Sequence, residues 1–301
     1  MRHEVLALNG NEKTTLTTYL LDGCAPGRSR PMVVICPGGG FLHCTPNEGE
    51  CVALHFNRMG FHAAVLRYST AASAPGHSAF PQPERELAVS LCLLRENAAE
   101  WEIDPDRIAV LGFSAGGHVC ANYANFWNTD LLSGIGTPAQ RKPNAQVLCY
   151  PLLTTRQLPD PQAAAAAGVP APVVERMHNF VRDLTRAMLG TEQPSDAQHT
   201  ACDALEHIGP DTPPTFLMHT FGDHLIAPDY TLQMTMRLRA AHIPCELHMF
   251  EQGEHGLSLA DATSATKPAE LDPHVAHWAE LAGEWLLDHF EKEGEACPKS
   301  H

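Results

Sequence analysis

Short apolar runs alternate with stretches of helical spacing along most of this chain. Continuous apolar runs of five or six residues predict buried strands, and apolar residues that recur every three or four positions predict helices. The run 16–21 alternates as an edge strand does, and the other predicted strands are 32–36, 62–68, 107–111, 145–150, 215–220 and 245–250. The predicted helices include 53–59, 84–101, 115–124 and 273–291. Such alternation predicts an α/β fold with a mostly parallel, doubly wound sheet and helices on both of its faces.

The segment 152–211 interrupts this rhythm, because it contains no pattern typical of a strand. An Ala- and Pro-rich part over 159–172 is interpreted as a flexible connector rather than a binding element. A predicted helix over 173–189 follows it. We therefore expect a single domain over 1–301, in which 152–211 is a small helical lid and 292–301 a disordered tail.

The sequence Gly112-Phe113-Ser114-Ala115-Gly116 fits the pattern G-x-S-x-G between the predicted strand 107–111 and a predicted helix. Glycine is needed on both sides of the serine because the turn between such elements is tight. The pattern in this setting predicts a nucleophile elbow, which lifts the Ser114 hydroxyl clear of the sheet. The alternative is a plain structural turn, since the bare pattern also occurs by chance.

A serine hydroxyl needs a neighbouring base, and the base needs an orienting carboxylate. His255 follows the predicted strand 245–250 in a loop with glycine on either side and is the predicted base. Asp223 follows the strand 215–220 and is the predicted acid. Asp229 is the competing candidate, although an aspartate at the start of a helix commonly caps it.

Three glycines follow the predicted strand 32–36, within Pro37-Gly38-Gly39-Gly40-Phe41. Glycine permits close substrate approach and unusual backbone angles. We predict that the N–H groups of Gly39, Gly40 and Ala115 stabilise an oxyanion. The alternatives are a phosphate-binding loop, which lacks its G-K-[ST] continuation here, and an ordinary flexible turn.

Histidines near the end of the chain offer a weaker candidate for a functional site, namely a metal site. His274 and His277 have the spacing i, i+3 and could bind a metal, but no carboxylate or cysteine completes a set of ligands. His277 and His289 are interpreted as lying on a solvated helix face. We expect no metal and no organic cofactor.

Composition and charge limit the kinds of molecule that the protein is expected to bind. The formal net charge of −15 disfavours nucleic acid, anionic membranes and polyanionic substrates, so a neutral or weakly charged small molecule is expected. No run of eighteen apolar residues predicts a membrane-spanning helix. The first residues lack the apolar stretch of a signal peptide, and no N-x-[ST] sequon occurs, which favours a cytoplasmic location.

The ten cysteines are scattered and form no C-x-x-C pair. We interpret them as small buried apolar side chains in a reducing compartment, with a disulfide framework as the alternative.

Together these motifs resemble the α/β-hydrolase esterases, and among them the lipase and carbohydrate-acetylesterase group that includes acetyl xylan esterases and "endo-xylanase B-like" proteins. The resemblance covers roughly residues 15–290. The segments that carry it are 36–41, 48–60, 104–118, 150–151, 211–220 and 253–257.

The resemblance implies an α/β-hydrolase fold and the roles of the site residues. By it, Ser114 is the nucleophile, His255 the general acid and base, and Asp223 its orienting partner, while Gly39, Gly40 and Ala115 donate to the oxyanion. Two departures occur. Related esterases often have histidine where this chain has Pro37, and the run 224–228 differs from their commoner Asp-Pro sequence.

The expected activity is that of a serine carboxylesterase that removes short acyl groups, above all acetyl, from xylo-oligosaccharide-type esters. The expectation that the substrate is a sugar ester follows from the resemblance only. The alternatives are a general short-chain or lipase-like carboxylesterase, a small serine peptidase and a non-catalytic binding protein on the same fold. The peptidase is disfavoured because few residues precede the first predicted strand, and the binding protein because all three triad residues are present. The oligomeric state stays open.

Overall fold

The computed structural model describes residues 1–23 and 28–296, and these residues form one eight-stranded sheet with helices packed on it. The strands are β1 (Arg2–Leu8), β2 (Asn11–Leu20), β3 (Arg30–Cys36), β4 (His62–Arg67), β5 (Ile103–Phe113), β6 (Ala145–Cys149), β7 (Thr215–Thr220) and β8 (Cys245–Phe250). The helices are α1 (Glu50–Arg58), α2 (Gln82–Glu96), α3 (Ser114–Phe126), α4 (Pro138–Arg141), α5 (Pro161–Ala166), α6 (Ala171–Leu189), α7 (Asp196–Ala201), α8 (Asp229–Ala240) and α9 (Trp278–Ala296).

The strand order across the sheet is β1-β2-β4-β3-β5-β6-β7-β8. The strands from β4 to β8 in this order pair in parallel, and only the β1–β2 and β2–β4 pairs are antiparallel. The prediction of a mostly parallel, doubly wound sheet is confirmed. Because parallel strands end at the same edge, the loops after β3, β5, β6, β7 and β8 meet there.

Apolar side chains alternate between two cores on opposite faces of the sheet. On β3, Met32 and Val34 pack into one core, which contains residues of α2, α3 and α8. Val33 and Ile35 pack into the other, which contains residues of α1 and α9. Burial on both faces explains why the central strands are continuous apolar runs in the sequence.

The first strand, β1, was not predicted, because the sequence pattern placed the first strand at residue 16. It pairs antiparallel with β2 at the edge of the sheet, with Leu6 opposite Leu16. The expectation that 16–21 forms the edge is therefore wrong, because β2 lies between β1 and β4. The residues of β1 face solvent at alternate positions, and Val5 is 60% exposed. Since an edge strand of this kind buries little apolar surface, it leaves only a weak hydrophobic signal.

The segment 152–211 contains α5, α6 and α7 and, as expected, no strand among these described residues. The predicted helix over 173–189 corresponds to α6. The interpretation of the Ala- and Pro-rich part as a connector is wrong for 161–166, which form α5. The carboxylate of Asp160 caps this helix by accepting from the N–H groups of Gln162 (2.8 Å) and Ala163 (3.2 Å). The action of 152–211 as a lid stays a prediction.

The last helix extends beyond its predicted end. α9 continues to Ala296, so residues 292–296 are helical rather than part of the expected tail. Residues 297–301 lie outside the described residues. Within those described, no helix is both long enough and apolar enough to cross a lipid bilayer.

All eight cysteines in 1–23 and 28–296 have free thiols. Five of them are buried, and these are Cys36, Cys92, Cys120, Cys149 and Cys202. They pack as small apolar side chains, so the part of the chain described here gives the disulfide alternative no support. Cys24 and Cys297 lie outside the described residues.

Candidate active site

Ser114 lies at the junction between β5 and α3, with a positive φ of 49°. Residues other than glycine rarely adopt this backbone region. The neighbouring glycines are required by close packing. A Cβ on Gly112 would lie 2.3 Å from the carbonyl oxygen of Gly116, and a Cβ on Gly116 would lie 2.0 Å from that of Cys36. The strand, turn and helix thus give Ser114 the geometry of a nucleophile elbow.

The structure brings Ser114, His255 and Asp223 together from the loops after β5, β8 and β7. The Oγ of Ser114 is 2.8 Å from Nε2 of His255, and Nδ1 of His255 is 2.6 Å from Oδ2 of Asp223. This geometry lets the hydroxyl donate to the imidazole while the imidazole donates to the carboxylate. Asp229 does not join them, because it is exposed at the first residue of α8.

The Asp223 carboxylate is buried and accepts several hydrogen bonds. Its Oδ1 accepts from the N–H groups of Leu225 and Ile226, each at 2.9 Å. Burial opposes ionisation, but hydrogen bonds from His219 and His255 outweigh it, and the pKa of Asp223 lies well below its usual range. The run 224–228, which departs from the commoner sequence, therefore still supplies two of the donors that keep this group ionised.

His219 is a second imidazole on the Asp223 carboxylate, and no sequence pattern predicts a role for it. Its Nε2 donates to Oδ2 of Asp223 at 3.0 Å, and its Nδ1 lies 2.8 Å from the hydroxyl of Thr231 on α8. The ring is fully buried. The available signal was its position, four residues before the predicted acid at the end of an apolar strand.

The glycine loop, Pro37–Phe41, also borders Ser114, because a Cβ on Gly38 would lie 3.0 Å from Cβ of Ser114. Gly39 has φ 115° and Gly40 has φ 63°, and a Cβ on Gly39 would lie 2.1 Å from the carbonyl oxygen of His43. The N–H groups of Gly39 and Gly40 donate no hydrogen bond to another described residue. The N–H of Ala115 lies in the first turn of α3, where helices leave N–H groups without acceptors. All three residues line the same cavity as Ser114.

Pro37, where related esterases often have histidine, holds the start of the glycine loop through its carbonyl oxygen. The hydroxyl of the buried Tyr68 donates to this oxygen at 2.8 Å. The loop is therefore held at this point by a hydrogen bond to its main chain, and no imidazole at position 37 is needed for that contact.

The cavity at Ser114 has a volume of about 580 Å³ and two chemically different walls. One wall is apolar and includes two residues of α6. Its side chains belong to the core that also contains residues of α2, α3 and α8, and they are Leu42, Leu152, Phe180, Leu184, Leu225 and Ile226. The other wall is polar and includes His43, Thr45, Asn47, Thr266 and Glu270. Such a cavity accepts a molecule with one apolar and one hydroxyl-rich end.

The histidines near the end of the chain do not form a metal site. His274 and His277 are exposed, and their ring centroids are 6.4 Å apart. Among residues 1–23 and 28–296, no group of three or more His, Cys, Asp or Glu side chains has the arrangement needed to hold a metal ion.

The fold and this arrangement of side chains define an α/β hydrolase. A family model described as the alpha/beta hydrolase fold matches residues 33–259, which is more than half of the chain, and the chain belongs to that family. The family recognised from the sequence motifs is thereby confirmed.

Two curated relatives resemble most of this chain. The chain is 28% identical over 235 residues to endo-1,4-beta-xylanase B of Butyrivibrio fibrisolvens, covering 77% of this chain and 33% of the relative. It is 24% identical over 259 residues to an acetylxylan esterase of Xylanibacter ruminicola, covering 83% of this chain and 45% of the relative. The chain thus spans between a third and a half of the length of these relatives.

A solved structure supplies a comparison over the whole fold. The acetyl ester-xyloside bifunctional hydrolase from Caldicellulosiruptor lactoaceticus superposes with a TM-score of 0.71 and 28% identity, covering 91% of this chain and 88% of that one. The names of these similar proteins support the expectation of a carboxylic ester hydrolase.

Proposed function

We propose that this protein is a serine carboxylesterase that removes short acyl groups, above all acetyl, from hydroxyl groups of xylose-type sugars. The observation that carries the proposal is the hydrogen-bonded series of Ser114, His255 and Asp223 at a cavity with one apolar and one polar wall. An acyl group fits the apolar wall, and a sugar fits the polar wall.

In the proposed acylation step, Oγ of Ser114 attacks the ester carbonyl carbon while Nε2 of His255 takes the hydroxyl proton. The negative charge on the tetrahedral oxygen is stabilised by the N–H groups of Gly39, Gly40 and Ala115. His255 then gives its proton to the departing sugar oxygen, the bond from carbon to that oxygen breaks, and an acyl-enzyme remains.

Deacylation repeats these steps with water. His255 takes a proton from a water molecule, whose oxygen attacks the acyl carbon, and the same N–H groups stabilise the second oxyanion. The bond to Oγ then breaks, Ser114 regains its proton from His255, and the free acid leaves. Throughout, the ionised Asp223 fixes the imidazole orientation and stabilises its charged form.

Three observations support a sugar ester as the substrate. The polar wall offers hydroxyl, amide and carboxylate groups, and the net charge of −15 favours an uncharged substrate. Two similar proteins have names that refer to acetylated xylan or xylosides. Since the chain spans only part of the curated relatives, xylanase activity is not included in the proposal.

The free thiols support action in a reducing compartment such as the cytoplasm.

The test is acetate release from acetylated xylo-, manno- and chito-oligosaccharides, beside p-nitrophenyl esters of increasing acyl length. We expect the highest kcat/KM on acetylated xylo-oligosaccharides and a decline from acetyl to longer chains. Ser114→Ala is expected to remove activity by a factor on the order of 10⁵ or more while the fold is retained.

Each alternative has its own outcome in this test. Turnover retained by Ser114→Ala rejects the mechanism. A preference for long acyl chains replaces the acetylesterase by a lipase-like enzyme. Peptide substrates are added to the panel for the peptidase, which is favoured if peptides are cleaved and esters are not. A wild-type protein inactive on all substrates favours the non-catalytic binding protein.

A further inference from the structure

A buried carboxyl group lies beneath the glycine loop. Glu48 ends a short 3₁₀ turn over Pro46–Glu48, is 3% exposed and lines the cavity at Ser114. Its Oε2 accepts from the N–H of Gly38 at 2.7 Å, and its Oε1 accepts from the hydroxyl of Tyr150 at 2.7 Å. Both oxygens of this side chain therefore hold other parts of the site.

Gly38 connects Glu48 to the glycine loop through the hydrogen bond from its N–H group. It directly precedes Gly39 and Gly40, whose N–H groups are the proposed oxyanion donors. A Cβ on Gly38 would lie 2.9 Å from Oε2 of Glu48 and 3.0 Å from Cβ of Ser114. The main chain at Gly38 is thus packed between the carboxylate and the nucleophile, and its position fixes where the following peptides begin.

Tyr150 connects the same carboxylate to the loop that carries His255. It follows β6, the strand between β5 and β7, and has a positive φ of 36°. Its hydroxyl accepts from the N–H of Ser258 at 2.8 Å. Its ring meets the His255 ring edge-on, with centroids 5.0 Å apart. One tyrosine therefore contacts Glu48, the base and the main chain three residues beyond the base.

The burial of Glu48 costs stability. No lysine or arginine in the described residues forms an ion pair with it, and burial raises the pKa of its carboxyl. A buried ionisable group without a charged partner is unfavourable unless hydrogen bonds compensate for the lost hydration. Its placement beside the reacting atoms is explained if these hydrogen bonds serve the reaction.

We propose that Glu48 and Tyr150 are positioning residues that hold the glycine loop and the His255 loop in fixed relation to each other. Glu48 places the oxyanion donors through Gly38, and Tyr150 ties Glu48 to the imidazole and to Ser258. The inference rests on the proposed reaction at Ser114, and neither residue reacts with the substrate.

The test compares Glu48→Ala, Glu48→Gln and Tyr150→Phe with the wild-type protein on p-nitrophenyl acetate. Because a misplacement of about 1 Å costs roughly 100-fold in rate, we expect Glu48→Ala to lower kcat by about 100-fold with KM changed by less than about twofold. Glu48→Gln can still accept from Gly38, so its kcat is expected to recover to within about tenfold of wild type. The affinity for an alkylboronic acid, which forms a tetrahedral adduct on serine, should weaken in parallel with kcat.

Glu86→Gln is the matched control. Glu86 is also buried and accepts from a backbone N–H, that of Ser69 at 2.7 Å, but it does not line the cavity. It should lose stability without losing kcat or boronic acid affinity.

A folded Tyr150→Phe protein with wild-type kcat and wild-type boronic acid affinity would overturn the inference, whether or not Glu48→Ala folds. A folded Glu48→Ala protein with these wild-type values would overturn it as well. An equal fall in kcat for Glu86→Gln would also overturn it, since the effect would then be general. An active wild-type protein with unchanged variants rejects this inference alone. An inactive wild-type protein rejects the proposed function, and this inference with it.

Discussion

Two buried carboxyl groups lie close to Ser114, and their surroundings shift their pKa values in opposite directions. Asp223 accepts from two imidazoles and two main-chain N–H groups, and its pKa is lowered. Glu48 accepts from one main-chain N–H and one hydroxyl, and burial raises its pKa. Burial is similar for both, so the number and strength of the donors decide which charge is stabilised. Asp223 is suited to balance a charged imidazole, and Glu48 to hold a loop.

Of the substitutions that test this comparison, Asp223→Asn should have the largest effect on activity. Asparagine keeps the shape but removes the charge, so it no longer stabilises the imidazolium or fixes its tautomer. We expect kcat/KM on p-nitrophenyl acetate to fall by about 10⁴-fold. The comparison fails if Glu48→Gln costs as much as Asp223→Asn, because the two carboxyl groups would then act alike.

The buried histidines outside the active site should make the protein less stable at a higher pH than Asp223 does. Burial lowers the pKa of His118 to about 4, and that of His62 falls to about 4 as well. The unfolded chain protonates these rings near pH 6.5, so it binds more protons than the folded chain between about pH 6.5 and pH 4. The free energy of unfolding therefore decreases as pH falls through that window. For His118 the loss should reach at most about 3 kcal/mol.

Urea unfolding of the wild type and His118→Gln between pH 7 and pH 4 measures this loss. The variant should lose less stability over the window, whatever its stability at pH 7. The lowered pKa of Asp223 acts differently, since its contribution is present above its ordinary pKa and is lost only at lower pH. Equal pH slopes for both proteins would assign the sensitivity to other groups.

Removing one imidazole from Asp223 should have the smallest effect. His219→Gln weakens one donor to Oδ2 and leaves His255 and both main-chain donors in place. A hydrogen bond to a charged group is worth about 1.5–3 kcal/mol, so we expect kcat to fall by roughly tenfold with KM unchanged.

His248→Gln on β8 is the control, because the His248 ring bonds to Glu246, stacks on Phe216 and does not line the cavity. A full loss of activity in His219→Gln would show that the His219 ring is as important for the reaction as the His255 ring. Wild-type activity would show that the other three donors suffice.

The sequence predicts those features of the fold and site that local patterns encode. Buried strands are continuous apolar runs, and the elbow at Ser114 combines a strand, small residues and a helix within a few positions. His255 and Asp223 were nominated from their places after strands and from the chain order typical of the resembling esterases. β1 was missed because it faces solvent at alternate positions.

The supporting residues were not predicted, because their partners are distant in the chain. Tyr150 and Glu48 are 102 residues apart, and neither has a pattern that indicates the other. His219 looks like any residue at the end of a buried strand until the fold places Thr231 on one side of its ring and Asp223 on the other. Such contacts depend on how the strands are ordered in space, which periodicity does not determine.

The separation of 141 residues between Ser114 and His255 also has a consequence during synthesis. A ribosome makes the elbow 141 residues before it adds the imidazole that is proposed to activate the serine. Under the proposed mechanism, the serine of a growing chain stays inert until β8 joins the sheet. The appearance of esterase activity in a translation reaction would thus mark the moment at which the last strand takes its place.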